Sequence, residues 1–291
     1  MSWANFKPEI WSKTVLKERD TKCIAVQNSW RQFEGDIKDV GDHVHIQGVK
    51  GVPIRDYDPT VKIGDPDLLE DESLELLIDQ KKYVNFGVKD IDRYQMNVQV
   101  MASVQAKTAN DLAKTQDAFL YGLIRQAGVK TIGGSSAAVT KDSVIPLLTR
   151  AVAWLNSNNV DTGEVFLEVH PFVFQKLQLA YVMQALPNAT ALTNGYRGDF
   201  LGVHIYESNT IPFDDGAGNA VAVDDPNAVF CNVIRTRQAV AFAEQKSMNY
   251  EAYRPQNDFM DAIKGFNLYG GKVIKPQELA LITCRVDMTQ N

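Results

Sequence analysis

His43 and His45, in the run DHVHI, stand two apart in an alternating stretch, so both would project from one face of a strand as an H-x-H metal pair does. A third ligand is missing: the other two histidines, His170 and His204, lie in a different segment, and the pair reads as partly exposed strand residues. The tripeptide Arg197-Gly198-Asp199 reads as a tight loop before a strand. TIGGSS, from Thr131, is glycine-rich, but it lacks the Lys-Ser/Thr and the spacing that let a phosphate loop wrap an anion, and it too reads as a loop. DDGAGNAVAVDD, from Asp214 to Asp225, carries enough carboxylate for calcium without the register of an EF-hand and reads as a solvated loop. DPDLLEDESLE packs six acids (Asp65, Asp67, Glu70, Asp71, Glu72 and Glu75) into eleven residues. That density suits a solvated or partner-facing segment rather than a matched acid and base. There is no G-x-S-x-G, and Cys23, Cys231 and Cys284 form neither a C-x-x-C nor a disulfide frame. No catalytic constellation emerges.

The stretch YVNFGVKDIDRYQMNVQVM, Tyr83 to Met101, changes period part-way. Val84, Phe86 and Val88 alternate as in a strand, and from Asp90 the apolar spacing becomes helical and continues to Ala127. Ile91, Tyr94, Val98, Met101, Ala109, Leu112, Phe119, Leu123 and Ala127 make one stripe, with Asp90 at the N-cap and Gly128 at C′. Such a helix is a rod of about 55 Å. Upstream, GDHVHIQGVKGVPI and ESLELLIDQKKYVNFGV predict two strands of an extended hairpin roughly 40 Å long. A lone hairpin is marginal in water, and no local surface is apparent for it to rest on. The first 35 residues hold one short helix, Pro8 to Asp20, whose apolar set (Ile10, Trp11, Val15) is too small to bury itself.

From Val129 the pattern becomes a compact alternation of helices and near-continuous apolar strands, which predicts a mixed sheet with helical cover. KDSVIPLLTRAVAWLNSNNV is a helix capped by Asp142 or Ser143, PFVFQKLQLAYVM another, and GEVFLEVH, AVFCNVI and QAVAFAEQ are strands. QKSMNYEAYRPQNDFMDAIKG reads as a strand pair or a strand and helix, and FNLYGGKVIKPQELALITCRV as two strands parted by Pro276. The chain has 291 residues, 45% hydrophobic and 23% charged, with net charge −6. This is globular composition, and its sign argues against a reader of nucleic acid that works by neutralising phosphates. Lacking an apolar leader or an 18-residue apolar run, the chain is expected in a reducing, non-membrane setting, where the NAT at Asn188 is no glycan acceptor.

Three stretches carry a family likeness. IDQKKYVNFGVKDIDRYQ looks like a return strand feeding a spine helix, YRGDFLGVHIYESNTIP like a glycine-led strand ending in a Ser-Asn-x-x-Pro turn, and GFNLYGGKVIKPQELALITC like closing Tyr-Gly-x-Lys-Val and Pro-x-x-Leu strands. In this order, over nearly the whole chain, they resemble the major capsid protein of tailed bacteriophages, the Hong Kong 97-type shell fold. The resemblance implies an α+β fold: an N-arm (1–35), an extended β-hairpin or E-loop (36–89), a spine helix of a peripheral domain (90–130, with about 243–268 returning to it) and a mixed α/β axial domain (131–242, with about 269–291 returning).

It also implies a structural protein, without cofactor or metal, that self-assembles into hexamers and pentamers of an icosahedral shell around double-stranded DNA. Its location would be the virion, after assembly in the host cytoplasm. A scaffolding protein, a portal and a decoration protein are the implied partners. No long N-terminal scaffolding segment is visible, so a separate scaffold is expected. The acids Asp65, Asp67, Glu70, Asp71, Glu72 and Glu75 are expected to face basic groups of a neighbouring copy: Arg254, Lys264, Lys246 or the arm's Lys13, Lys17 and Arg19. An encapsulin-type compartment shell shares the fold and stays open as an alternative, as do an α/β enzyme and a phage tail component.

Overall fold

Three sheets and one long helix organise the computed structural model, which describes residues 24–32, 43–49, 54, 56, 71–89, 99–160, 164–180, 196–200, 202–257 and 259–286. The expected arm helix, the Asp90 cap with Ile91, Tyr94 and Val98, the acids Asp65, Asp67 and Glu70, and Asn188 lie outside the described residues.

The hairpin strands are β1 (His43–Val49) and β2 (Asp71–Leu77), antiparallel, with Val44 opposite Leu76 and Ile46 opposite Leu74. The period of two puts these four on one face and His43, His45, Ser73 and Glu75 on the other. The return run, expected to be one strand, breaks at Ile78–Asp79 and resumes as β3 (Gln80–Lys89). β3 leaves the hairpin and pairs with β11 (Met260–Val273), which pairs with β10 (Val240–Tyr253) in a separate three-stranded sheet. QKSMNYEAYRPQNDFMDAIKG is thus a strand pair, and β11 runs on unbroken through GFNLYGGKV.

Two faces of this sheet have different cover. The spine, α2 (Gln99–Gln126), follows the short α1 (Ile24–Gln27) and lies on one face. There Leu120, Tyr121 and Ile124 pack with Val240, Phe242 and Tyr269, and Ala109 and Leu112 pack with Tyr250, Ile263, Val84 and Phe86. On the other face Ala241, Ala243 and Leu268 meet Val44, Ile46, Leu76 and Ile78 of the hairpin. The hairpin base therefore rests on its own subunit, which corrects the expectation that no local surface exists. That surface is built from strands nearly two hundred residues away in sequence, and local periodicity carries no trace of it.

The spine's buried stripe also differs from the apolar pattern. Gln116, Asp117, Leu120, Tyr121 and Ile124 are buried, whereas Phe119 and Leu123 are half-buried and Ala127 is exposed. Two polar residues occupy core positions, so a stripe drawn through apolar residues alone runs slightly off the true one. Gly128 ends the helix in the left-handed region at φ 64°, as its C′ position requires.

The larger sheet has the order β4 (Lys130–Val139), β12 (Leu279–Val286), β9 (Val229–Thr236), β5 (Val165–Val169), β7 (Val203–Glu207), β6 (Tyr196–Phe200), with β8 (Phe213–Asp214) also on β9. It is mixed: β12 is parallel to β4 and β5 to β7, and the other pairs are antiparallel. Helices α3 (Lys141–Ser157) and α4 (Pro171–Ala180) cover one face, and the spine end reaches the other at Val233, Leu279 and Leu281. The N-cap of α3 is Thr140 rather than Asp142 or Ser143, and its N–H donates to Ser143 Oγ at 2.9 Å.

Two expected loops are strands. TIGGSS lies in β4, where Gly133 holds φ 98° and passes so close to β12 that a Cβ would sit 2.3 Å from Thr283 O. Arg-Gly-Asp lies in β6, a sheet edge, with Gly198 at φ 121° absorbing a register shift.

Candidate functional site

A dense group of buried hydrogen bonds lies where residues 24–32 meet the spine and the larger sheet. Asp117 of α2 accepts the N–H groups of Ile24 (3.1 Å), Ala25 (3.1 Å) and Val26 (3.4 Å). Arg235 of β9 donates to Ala25 O (2.8 Å), Asn28 O (3.1 Å), Ser29 Oγ (3.2 Å) and Glu168 Oε1 (2.9 Å). Asn28 Nδ2 donates to the same Glu168 oxygen at 3.0 Å. Trp30 then bridges β10, its N–H donating to Val240 O and its carbonyl accepting from Phe242 N. Arg235 and Glu168 are both fully buried, a burial tolerable only because the charges are paired; Glu168 Oε2 and Arg235 Nε have no hydrogen-bond partner among the described residues. Burial, followed by the nearby Glu168 and Asp117 carboxylates, pushes the Tyr121 phenol well above its ordinary range, so it stays protonated. This constellation holds three elements in one geometry.

Sequence reading passed over Asp117, Glu168, Arg235 and Asn28. A signal was present for two of them: Glu168 sits between Leu167 and Val169, and Arg235 follows Ile234, in strands that are otherwise apolar. A charge inside a buried strand demands a partner. A second polar group, Gln116, Asn267 and Glu244, ties the spine to the three-stranded sheet: Gln116 Nε2 donates to Asn267 Oδ1 at 3.2 Å, and Asn267 Nδ2 donates to Glu244.

The hairpin seat depends on a glycine pair. Adjacent strand residues point to opposite faces, and Gly270 faces the hairpin while Gly271 faces the spine. A Cβ on Gly270 would lie 2.1 Å from Leu77 O, and one on Gly271 would lie 3.0 Å from Leu120 Cδ2. Lys272 Nζ donates to Glu75 O at 2.8 Å beside this crossing. Farther along the same sheet, Tyr83 and Phe266 are register partners, 81% and 42% exposed, and edge a shallow recess of about 370 Å³ that also includes Val84, Asn85, Glu251 and Lys264. Phe259 is 80% exposed. An exposed aromatic pair such as Tyr83 and Phe266 marks a surface suited to association.

The candidate residues fall in separate places. His43 Nδ1 is 2.7 Å from Glu75 Oε1, so this histidine is engaged with a carboxylate, and His45 is exposed on the same face. Asp71 and Glu72 are in β2, opposite Val49 and Gly48. Lys264 Nζ is 3.2 Å from Glu251 and lies over the Tyr253 ring, Lys246 sits at a register shift in β10, and Arg254 is exposed just past its end. Of the loop read as solvated, Asp214 is buried and paired with Arg125, while Asp215 accepts from Ala217 N, Asn219 N and Asn219 Nδ2. The loop's own donors and Arg125 thus occupy both carboxylates. Among the described residues no group of three or more His, Cys, Asp or Glu could hold a metal ion, and no helix is long and apolar enough to cross a membrane.

His170 is a buried histidine. It is 4% exposed, stacks on Phe230 at 4.4 Å and lies against Phe172 and Phe213 at the start of α4. Burial lowers its pKa from 6.5 to about 4, and a helix N-terminus likewise disfavours an imidazolium. The native imidazole therefore stays neutral where the unfolded chain takes up a proton. Stability should be level above pH 6.5 and fall by about 3 kcal/mol as pH drops towards 4. In urea melts, the difference between the wild type and His170→Phe should follow that window; parallel profiles would refute it.

No protein-family model and no curated protein matches the sequence. Among solved structures, a chain from Mycobacterium phage Che8 superposes with TM-score 0.71 and 28% identity over 97% of this chain and 98% of that one. A chain of the cyanophage P-SCSP1u capsid gives 0.64 at 18% identity over 85% of both chains, and one of the bacteriophage PhiM1 mature capsid gives 0.61 at 18% over 87% and 85%. This chain has the fold of these phage capsid chains, the Hong Kong 97-type shell fold.

Proposed function

We propose that copies of this chain assemble into the hexamers and pentamers of an icosahedral shell enclosing double-stranded DNA, with no sequence-specific contact to it. The observation that carries this reading is the exposed aromatic pair Tyr83 and Phe266 beside a seated hairpin, on a subunit with a phage capsid fold. A neighbour lying on that pair would bury it, and one such contact repeated by closed symmetry generates rings. The role is structural, and we propose the domain partition given above: arm 1–35, E-loop 36–89, peripheral 90–130 with about 243–268, and axial 131–242 with about 269–291. A scaffolding protein, a portal and a decoration protein are the proposed partners, with assembly in the host cytoplasm. Expressing the chain alone and with candidate scaffolds, then imaging by negative stain, tests this. Closed megadalton particles support it, and a persistent 32.4 kDa monomer overturns it. Packaged DNA rather than a cargo enzyme separates a virion from an encapsulin-type compartment.

The acidic segment is proposed to face a neighbour's basic residues. Exposed pairs contribute only about 0–1 kcal/mol each, so they would set register more than affinity. Reversing Glu70, Asp71 and Glu72 to lysine should block or misdirect assembly while leaving the subunit's melting temperature unchanged. Normal shells from that variant would refute the assignment.

A further inference from the structure

A cleft of about 670 Å³ lies between one face of α2 (Ala118, Gly122, Gln126) and the turn Thr210-Ile211-Pro212. Gly122 forms a notch in its wall: a Cβ there would meet nothing within 4 Å, although a glycine within a helix weakens it relative to alanine. No described residue fills the space that this glycine keeps open.

The position of the arm points to an occupant. The Ile24 N–H donates to Asp117 Oδ2 at 3.1 Å, and the Thr210 hydroxyl donates to the same oxygen at 3.4 Å. Thr210 lines the cleft, and Asp117 precedes Ala118, which also lines it. The chain therefore reaches Ile24 at the cleft's rim, with residues 1–23 preceding it in sequence. Those residues include the amphipathic segment with Ile10, Trp11 and Val15, a stripe too small to bury itself. From Asp20 to Ile24 the chain can span about 13 Å, and Ala118 to Gln126 covers about 12 Å of helix.

We propose that this cleft seats residues 8–20 of the same chain, with their apolar stripe against Ala118 and Gly122. The short tether gives the segment a high local concentration at the cleft, so no neighbouring copy is needed. The arm is then held on its own spine before any shell forms, which does not depend on the assembly proposed above.

Limited trypsin digestion of the unassembled subunit tests the seat, because Lys13, Lys17 and Arg19 are its cleavage points. Gly122→Leu fills the notch while improving helix propensity, so its melting temperature should be equal to or above the wild type's. Cleavage at the three sites should become about tenfold faster in that variant; an unchanged rate overturns the proposal. Should Gly122→Leu fail to fold, hydrogen exchange decides. Deleting residues 1–20 should speed exchange of the 209–213 amides by about tenfold, and unchanged exchange overturns the proposal. Protection of the cleft that arises only in assembled particles places a neighbour's arm there and overturns the same-chain assignment.

Discussion

Arg235→Met should destabilise the subunit by about 3–5 kcal/mol, the usual cost of leaving one partner of a buried ion pair behind. The guanidinium is fully buried and satisfies Glu168 Oε1, Ser29 Oγ and the carbonyls of Ala25 and Asn28 together. Methionine fills much of the volume and bonds none of them. Glu168 is then a buried carboxylate whose remaining donor is Asn28 Nδ2. Urea unfolding of the unassembled subunit gives the number directly. Adding Glu168→Leu to the same chain should recover a large part of the loss, since an apolar pair no longer carries a stranded charge. A single-variant loss below about 1 kcal/mol, the range of an exposed pair, would show that water reaches this junction.

The second large effect concerns shape rather than charge. Gly270→Val should leave the subunit folded but loosen the hairpin and abolish particle formation. Even a Cβ would collide with Leu77 O at 2.1 Å and with Ile78 Cα at 2.9 Å, and these are backbone atoms that cannot rotate away. Overpacking of this kind costs about 1–3 kcal/mol. The strain falls on the crossing of the hairpin base over β11, so β2 must lift and carry Leu76 and Ile78 away from Ala241 and Ala243. Gly271→Ala is the milder control: its Cβ would meet the end of Leu120 at 3.0 Å, which a flexible side chain can relieve, and Ala241 O at 3.3 Å, where the backbone need give by only a few tenths of an ångström. Shell yield by sedimentation should collapse for Gly270→Val and stay close to wild type for Gly271→Ala. Equal yields would mean that the hairpin seat is not needed for closure.

Much of the architecture was legible in the sequence because it rests on local periodicity. The switch from alternating to helical spacing after Val88 announced a strand followed by a spine, and Gly128 marked where the helix stops. The alternation in DHVHI predicted which histidines face outward, and Val44 and Ile46 are buried as that pattern requires. The strand order was less accessible. TIGGSS and Arg-Gly-Asp looked like loops because their glycines signal turns; here those glycines serve a close strand approach and a register shift.

Periodicity and composition alone determined that this chain would have an antiparallel strand pair ahead of a long one-sided helix and a mixed α/β lobe, since each is encoded by residues near one another in the chain. The tertiary structure alone decided that the hairpin base rests on β10 and β11, that Asp117 holds residues 24–26, and that Arg235 joins Glu168 to that same segment. Those contacts link residues up to 210 positions apart. A buried charge or a glycine advertises that it needs a partner, but which partner it finds depends on how the whole chain packs.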